Sequence, residues 1–128
     1  MKHEYTLARV RPGSGSIGNV SGQWQNELGS TVTFVQNGSI LTGTYESAVS
    51  GGGSATSGQV QGYVTEDLIS FIVLWDSVAA ITAWVGQIQP SATSMPSFDT
   101  LWQMTQQVAP GEEWAAINAG ADTFVRCS

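Results

Sequence analysis

Five polar side chains in this sequence form a matched set of donors and acceptors. Asn26, Ser30 and Tyr45 can each donate a hydrogen bond to one carbonyl oxygen, while Ser47 and Asp122 can accept from N–H groups. Trp75, Trp84 and Trp102 supply flat apolar walls, and Thr82 lies among them on the same strand face as Trp84. A few convergent polar groups among aromatic walls are the makings of a small-molecule site. The ligand such a set suits is compact, planar and urea-like or amide-like, with an apolar remainder. The stretch Trp24-Gln25-Asn26-Glu27-Leu28-Gly29-Ser30 is central to the reading. At period 2, Trp24, Asn26 and Leu28 share a strand face, which puts an amide among core residues. A buried amide costs a few kcal/mol unless it is hydrogen-bonded. The plainer alternatives are that Asn26 is a turn residue beside Gly29, and that the polar set is satisfied internally or by buried water.

Other chemistries find little support. The single histidine is His3, in a polar N-terminal stretch, so a Ser-His-Asp or Cys-His centre lacks its base. The single cysteine, Cys127, permits neither an intrachain disulfide nor a Cys-x-x-Cys metal site. No metal or cofactor is expected. The net charge is -6, and three of the four basic residues lie in the first eleven positions, which argues against a nucleic-acid partner. No apolar run reaches membrane-spanning length, so no membrane partner is expected. The N-terminus shows neither an apolar h-region nor an A-x-A site, so no signal peptide is visible.

The elements that must position the polar set read as all-β. Residues 1–21 mix charge, Pro12 and Gly13-Ser14-Gly15-Ser16, and are expected to be a flexible tail ahead of one domain over 22–128. Short runs rich in Thr, Val, Tyr, Phe and Trp predict strands near 22–28, 30–36, 40–47, 58–65, 68–76, 79–88, 98–106 and 119–126. Asn37-Gly38 predicts a type I′ hairpin turn, and Glu66-Asp67 and Asp76-Ser77 predict further turns. Ser50 to Ser57 reads as a glycine-rich loop, and Glu112-Glu113 before Trp114-Ala115-Ala116 as one helical turn. Eight antiparallel strands with short connections predict an up-and-down β-barrel; an immunoglobulin-type sandwich would need longer crossing connections. Period-2 faces place Leu41, Tyr45 and Ser47 together, as well as Ile69, Phe71, Val73 and Trp75. They also align Thr82 with Trp84, Phe98 with Trp102, and Asp122 with Phe124, and Trp24 is read into the same interior. The opposite face of 79–88 is apolar too (Ile81, Ala83, Val85), and charged residues are only 11% against roughly 25% in ordinary domains. Apolar residues on both faces predict barrels packed against one another in an oligomer.

Four stretches, taken together, resemble one family. Residues 24–30, Leu41-Thr42-Gly43-Thr44-Tyr45-Glu46-Ser47-Ala48-Val49, Trp84-Val85-Gly86-Gln87 and Asp122-Thr123-Phe124 look like the avidin/streptavidin family of biotin-binding proteins. The second stretch is nearest the bacterial, streptavidin-like branch, and the resemblance spans about 22–126. It implies that Asn26, Ser30 and Tyr45 donate to the ureido oxygen of biotin, and that Ser47 and Asp122 accept from its two nitrogens. It implies that Thr82 meets the thioether sulfur and that Trp75, Trp84 and Trp102 wall the ring and side chain. It places Val49 and the backbone of Ser50 and Gly51 in a loop that closes on the ligand. It matches Trp114 to the tryptophan that a tetramer lends to a neighbouring subunit. Secretion to the exterior or the periplasm is a further implication. Two departures fall on the ligand carboxylate: Ala80 stands where the streptavidin-like branch has a serine, and Gly51 replaces a second contact residue.

The residues alone admit two other functions. Gly22-Gln23-Trp24 fits the short G-x-W pattern of lipocalins, which makes a lipocalin-like carrier of a small apolar ligand the alternative. Its wider, more apolar barrel fits the polar cluster poorly. An enzyme has only Asp122 beside Ser47 to offer, with no partner base, metal group or phosphate loop.

Overall fold

Alternation of inward and outward side chains dominates the computed structural model, which describes residues 2–48, 56–89 and 96–127. A short helix, α1 (His3–Leu7), precedes eight strands. These are β1 (Gly22–Asn26), β2 (Thr31–Asn37), β3 (Ile40–Ser47), β4 (Thr56–Thr65), β5 (Leu68–Trp75), β6 (Ala80–Gln89), β7 (Ser97–Gln106) and β8 (Ile117–Arg126). Each strand pairs antiparallel with the next, and β8 returns to β1, closing the barrel in sequence order. The predicted helical turn is a single 3-10 turn, Glu113–Ala115, leading into β8.

The core is the inner face of this barrel. Phe34, Phe71, Phe98 and Phe124 are buried with Trp24 and Trp84 at its centre. Phe71 stacks on Trp84 and Phe98 on Phe124, both with ring centroids 4.9 Å apart. β-branched and aromatic residues suit this pleated, inward-facing surface, and each fully buried one contributes about 1.5–3 kcal/mol.

Three expectations are corrected. The first concerns the hairpin: Asn37 pairs with Ile40, so the two central residues are Gly38 and Ser39. Gly38 has φ +62° and Ser39 is not left-handed, which is the type II′ pattern rather than type I′. The second concerns Leu28. β1 stops at Asn26, and Leu28 sits 66% exposed in the following turn instead of sharing the core face. The third concerns the tail. Residues 16–21 lie along the base of the barrel: Ile17 bridges in parallel to Glu66, Glu66 donates its N–H to Ser16 O, and Val20 is buried in the core. Gln36 on β2 accepts from Val20 N at 2.8 Å and donates to Gly18 O at 2.7 Å. Arg126 on β8 holds Asn19 O and Ser21 O, both at 2.8 Å, with its guanidinium over the Trp24 ring. The expected boundary at residue 21 thus falls within a strap that belongs to the barrel.

The outer surface carries the predicted apolar stripe. Leu74 lies beside Ile81 across β5–β6, and Val85 beside Leu101 across β6–β7. All four are exposed on the single chain.

Candidate functional site

The strands set two ends to the barrel. The strap and Trp24 close one end, where the Trp24 indole N–H is spent on Val20 O at 2.9 Å. Trp24 therefore belongs to the base and not to a ligand wall. The polar set gathers towards the other end, where β1 ends, β2 begins, β3 ends and β6 begins.

Asn26 is placed there by its own turn. Its side-chain oxygen accepts from Leu28 N at 3.1 Å and Ser30 N at 2.9 Å, while its backbone N–H donates to Ser30 O. The carbonyl side of the amide is thereby occupied, and Nδ2 is aimed inward, 3.4 Å from Tyr45 Oη. Asn26 is both the turn residue and the inward donor, two roles that the sequence posed as alternatives. Ser30 accepts Ala48 N at 3.0 Å on its hydroxyl oxygen, leaving its O–H to donate. Tyr45 is buried, and its phenol is pushed far above its ordinary range by burial first and by the nearby Asp122 charge second, with hydrogen bonding from Ser30 opposing. The phenol keeps its proton at any ordinary pH and acts as a donor.

Asp122 faces these donors from β8. Its Oδ2 accepts the Trp84 indole N–H at 3.0 Å, and its backbone carbonyl accepts from Thr100 Oγ1 at 2.9 Å. Burial raises its carboxyl above the usual range, Trp84 lowers it, and Glu27 raises it further, with Asn26 opposing. Tyr45 stacks on Trp84 with ring centroids 4.9 Å apart and meets Trp75 edge-on at 5.4 Å. The Trp75 indole N–H donates to Thr82 Oγ1 at 2.9 Å. Trp102 pairs with Trp84 across β6–β7 and lies over Gly120; a Cβ there would sit 2.5 Å from the indole, so only glycine leaves it room. At the same end, Ser47, Trp75, Ala80 and Met104 line a cavity of about 460 Å³. This is within the range of small-molecule sites.

Asn26, Ser30, Tyr45, Trp84 and Asp122 are thus brought into one connected cluster. Trp75 and Thr82 adjoin it, while Ser47 and Trp102 border the same end of the barrel. Trp114 is not part of this cluster: it lies 84% exposed in the 3-10 turn. Val49, Ser50 and Gly51 lie outside the described residues. Sequence reasoning missed two supporting residues, Thr100 and Glu27. Glu27 accepts Thr123 N at 3.0 Å from β8, next to Asp122. Its position between Asn26 and Leu28 was the only signal.

The barrel can hold a planar group between indoles, with donors converging from β1, the β1–β2 turn and β3 and an acceptor opposite on β8. The sequence model of the Avidin family matches residues 15–127. This chain belongs to the avidin family. It is 29% identical to avidin of Gallus gallus over 94% of this chain and 87% of that protein. It is 31% identical to afifavidin of Afifella pfennigii over 82% of this chain and 67% of that protein. The crystal structure of xenavidin superposes with a TM-score of 0.73 at 31% identity, covering 85% of this chain and 97% of the other. The avidin-like closed barrel is therefore the fold, and a bacterial avidin stands among the relatives of this chain.

Proposed function

We propose that this avidin-family chain binds biotin non-covalently at the open end of the barrel. The observation that carries this reading is the opposition of a neutral donor cluster, Asn26, Ser30 and Tyr45, to the Asp122 carboxylate across an aromatic interior. A ureido group presents one oxygen and two N–H groups, and this opposition fits it: three donors polarise the oxygen, and Asp122 accepts from an N–H thereby made more acidic. Ser47 accepts from the other nitrogen and Thr82 meets the sulfur. Trp75, Trp84 and Trp102 wall the ring and side chain. Val49, Ser50 and Gly51, outside the described residues, complete the proposed ligand-binding set by the family resemblance. Trp114 is supplied to a neighbouring subunit of a homotetramer, consistent with its exposure on the single chain. The protein works as a binder and not as an enzyme, and it is secreted or periplasmic.

Calorimetric titration with biotin and biotin methyl ester tests this. Tight binding at one site per chain is the expected result. Equal affinity for the ester would show that Ala80 and Gly51 have given up the carboxylate contact. Absence of heat and of any rise in melting temperature would overturn the reading in favour of an apolar carrier.

A further inference from the structure

The inner face of β6 and β7 ends, at the mouth of the barrel, in a pair of residues that the polar cluster does not use. Ala80 is opposite Gln106, beyond the pairs Thr82–Met104 and Trp84–Trp102. Directly opposed residues point to one face, and alternation puts Ala80 and Gln106 on the face of buried Thr82 and Trp84. Gln106 is accordingly half-buried, while Thr105 and Gln107 on either side of it are exposed. The backbone there is held at two points: Gln106 N–H donates to Ala116 O at 2.9 Å, and Gln107 N–H to Ala79 O at 3.0 Å. The Gln106 side chain lines the cavity of about 460 Å³ together with Ser47, Trp75 and Ala80. Among the described residues its carboxamide has no hydrogen-bond partner. Ala80, with only a methyl group, has nothing to offer it.

We propose that Gln106 is a specificity residue that reads the tail of the ligand, and that the class of ligand this site prefers is an N-alkyl carboxamide of biotin over the free acid. This rests on the ureido-binding reading above. A carboxamide carries a donor and an acceptor side by side. Facing a secondary amide, Gln106 Oε1 accepts the ligand N–H and Nε2 donates to the ligand carbonyl, so both groups are satisfied. An ester has no N–H and satisfies only the donor. A carboxylate can only accept, and its charge needs compensation when it leaves water. None of the described residues that line the cavity is charged. Arg126, the one basic residue after position 11, is committed to the strap at the other end. A net charge of -6 further disfavours an anionic tail. The same mouth thus repels the acid and complements its amide.

The test uses the full chain and three ligands that differ only in the tail: biotin, biotin methyl ester and biotin N-methylamide. Affinities are measured for the wild type, Gln106→Ala and Gln106→Glu. The wild type is expected to bind the amide about tenfold more tightly than the acid, the worth of two neutral hydrogen bonds, with the ester between them. Gln106→Ala should reduce the amide's advantage over the ester to within about twofold. Gln106→Glu keeps an acceptor for the amide N–H and adds a negative charge, so it should widen the gap between amide and acid. Equal binding of amide and acid by the wild type overturns the proposal. So does a tail preference that stays the same in both folded variants, because a merely structural role for Gln106 would change all three affinities together. Failure of all three ligands to bind the wild type overturns the ureido-binding reading itself.

Discussion

Asn26 serves the fold with one half of its amide and the pocket with the other. Its oxygen closes the 26–30 turn, which fixes the direction of its NH2. Preorganisation of this kind spares a ligand the cost of ordering the donor. Asp122 works in the opposite sense, since burial makes its charge unfavourable. A carboxyl whose folded-state titration lies above its unfolded one contributes stability at low pH and loses it as the pH rises through the folded value. Asp122→Asn is therefore expected to melt higher than the wild type at neutral pH, with the difference closing in acid. The same change should weaken biotin binding by about 1.5–3 kcal/mol, the worth of a hydrogen bond to a charged group. Melting curves and titrations at two pH values check both. Gly120→Ala makes a sharper steric test. The new methyl meets the Trp102 indole, which must move, so biotin affinity should fall at least tenfold while the barrel stays folded by circular dichroism.

Among the elements, the strands were the most legible part of the sequence, because period-2 alternation with a buried face leaves little freedom of register. Phe71, Val73 and Trp84 lie inward as their spacing requires. What escaped depends on contacts distant in sequence. Glu27 meets Thr123 across 96 residues, and nothing local announces it. Leu28 was misplaced because alternation alone does not say where a strand stops, whereas the Asn26 turn does. Gln36 on β2 bridges Gly18, Val20 and Gly38, contacts that its local sequence does not announce. Without it, backbone groups of the strap lose their partners. Gln36→Ala should cost about 1–3 kcal/mol of stability, the penalty for unsatisfied polar groups. Because this contact lies at the end away from the polar cluster, biotin affinity should hold while the melting temperature falls.

For the whole molecule, the outward stripe of Leu74, Ile81, Val85 and Leu101 is a surface that water covers poorly, on a chain with few charges. Val85→Glu together with Leu101→Glu should shift the homotetramer proposed above towards smaller species in sedimentation experiments. Trp114→Ala should weaken biotin binding only while that assembly persists, which separates a lent side chain from a local one. The barrel also has a weak seam. β6 and β7 are paired at ten positions, whereas β8 closes on β1 at three. Asn26 stands on one side of that short zip and Asp122 on the other. A guest that grips both acts as a rivet where the cylinder would split first, so occupancy and mechanical strength rise together, and the molecule is hardest to tear open when it is full.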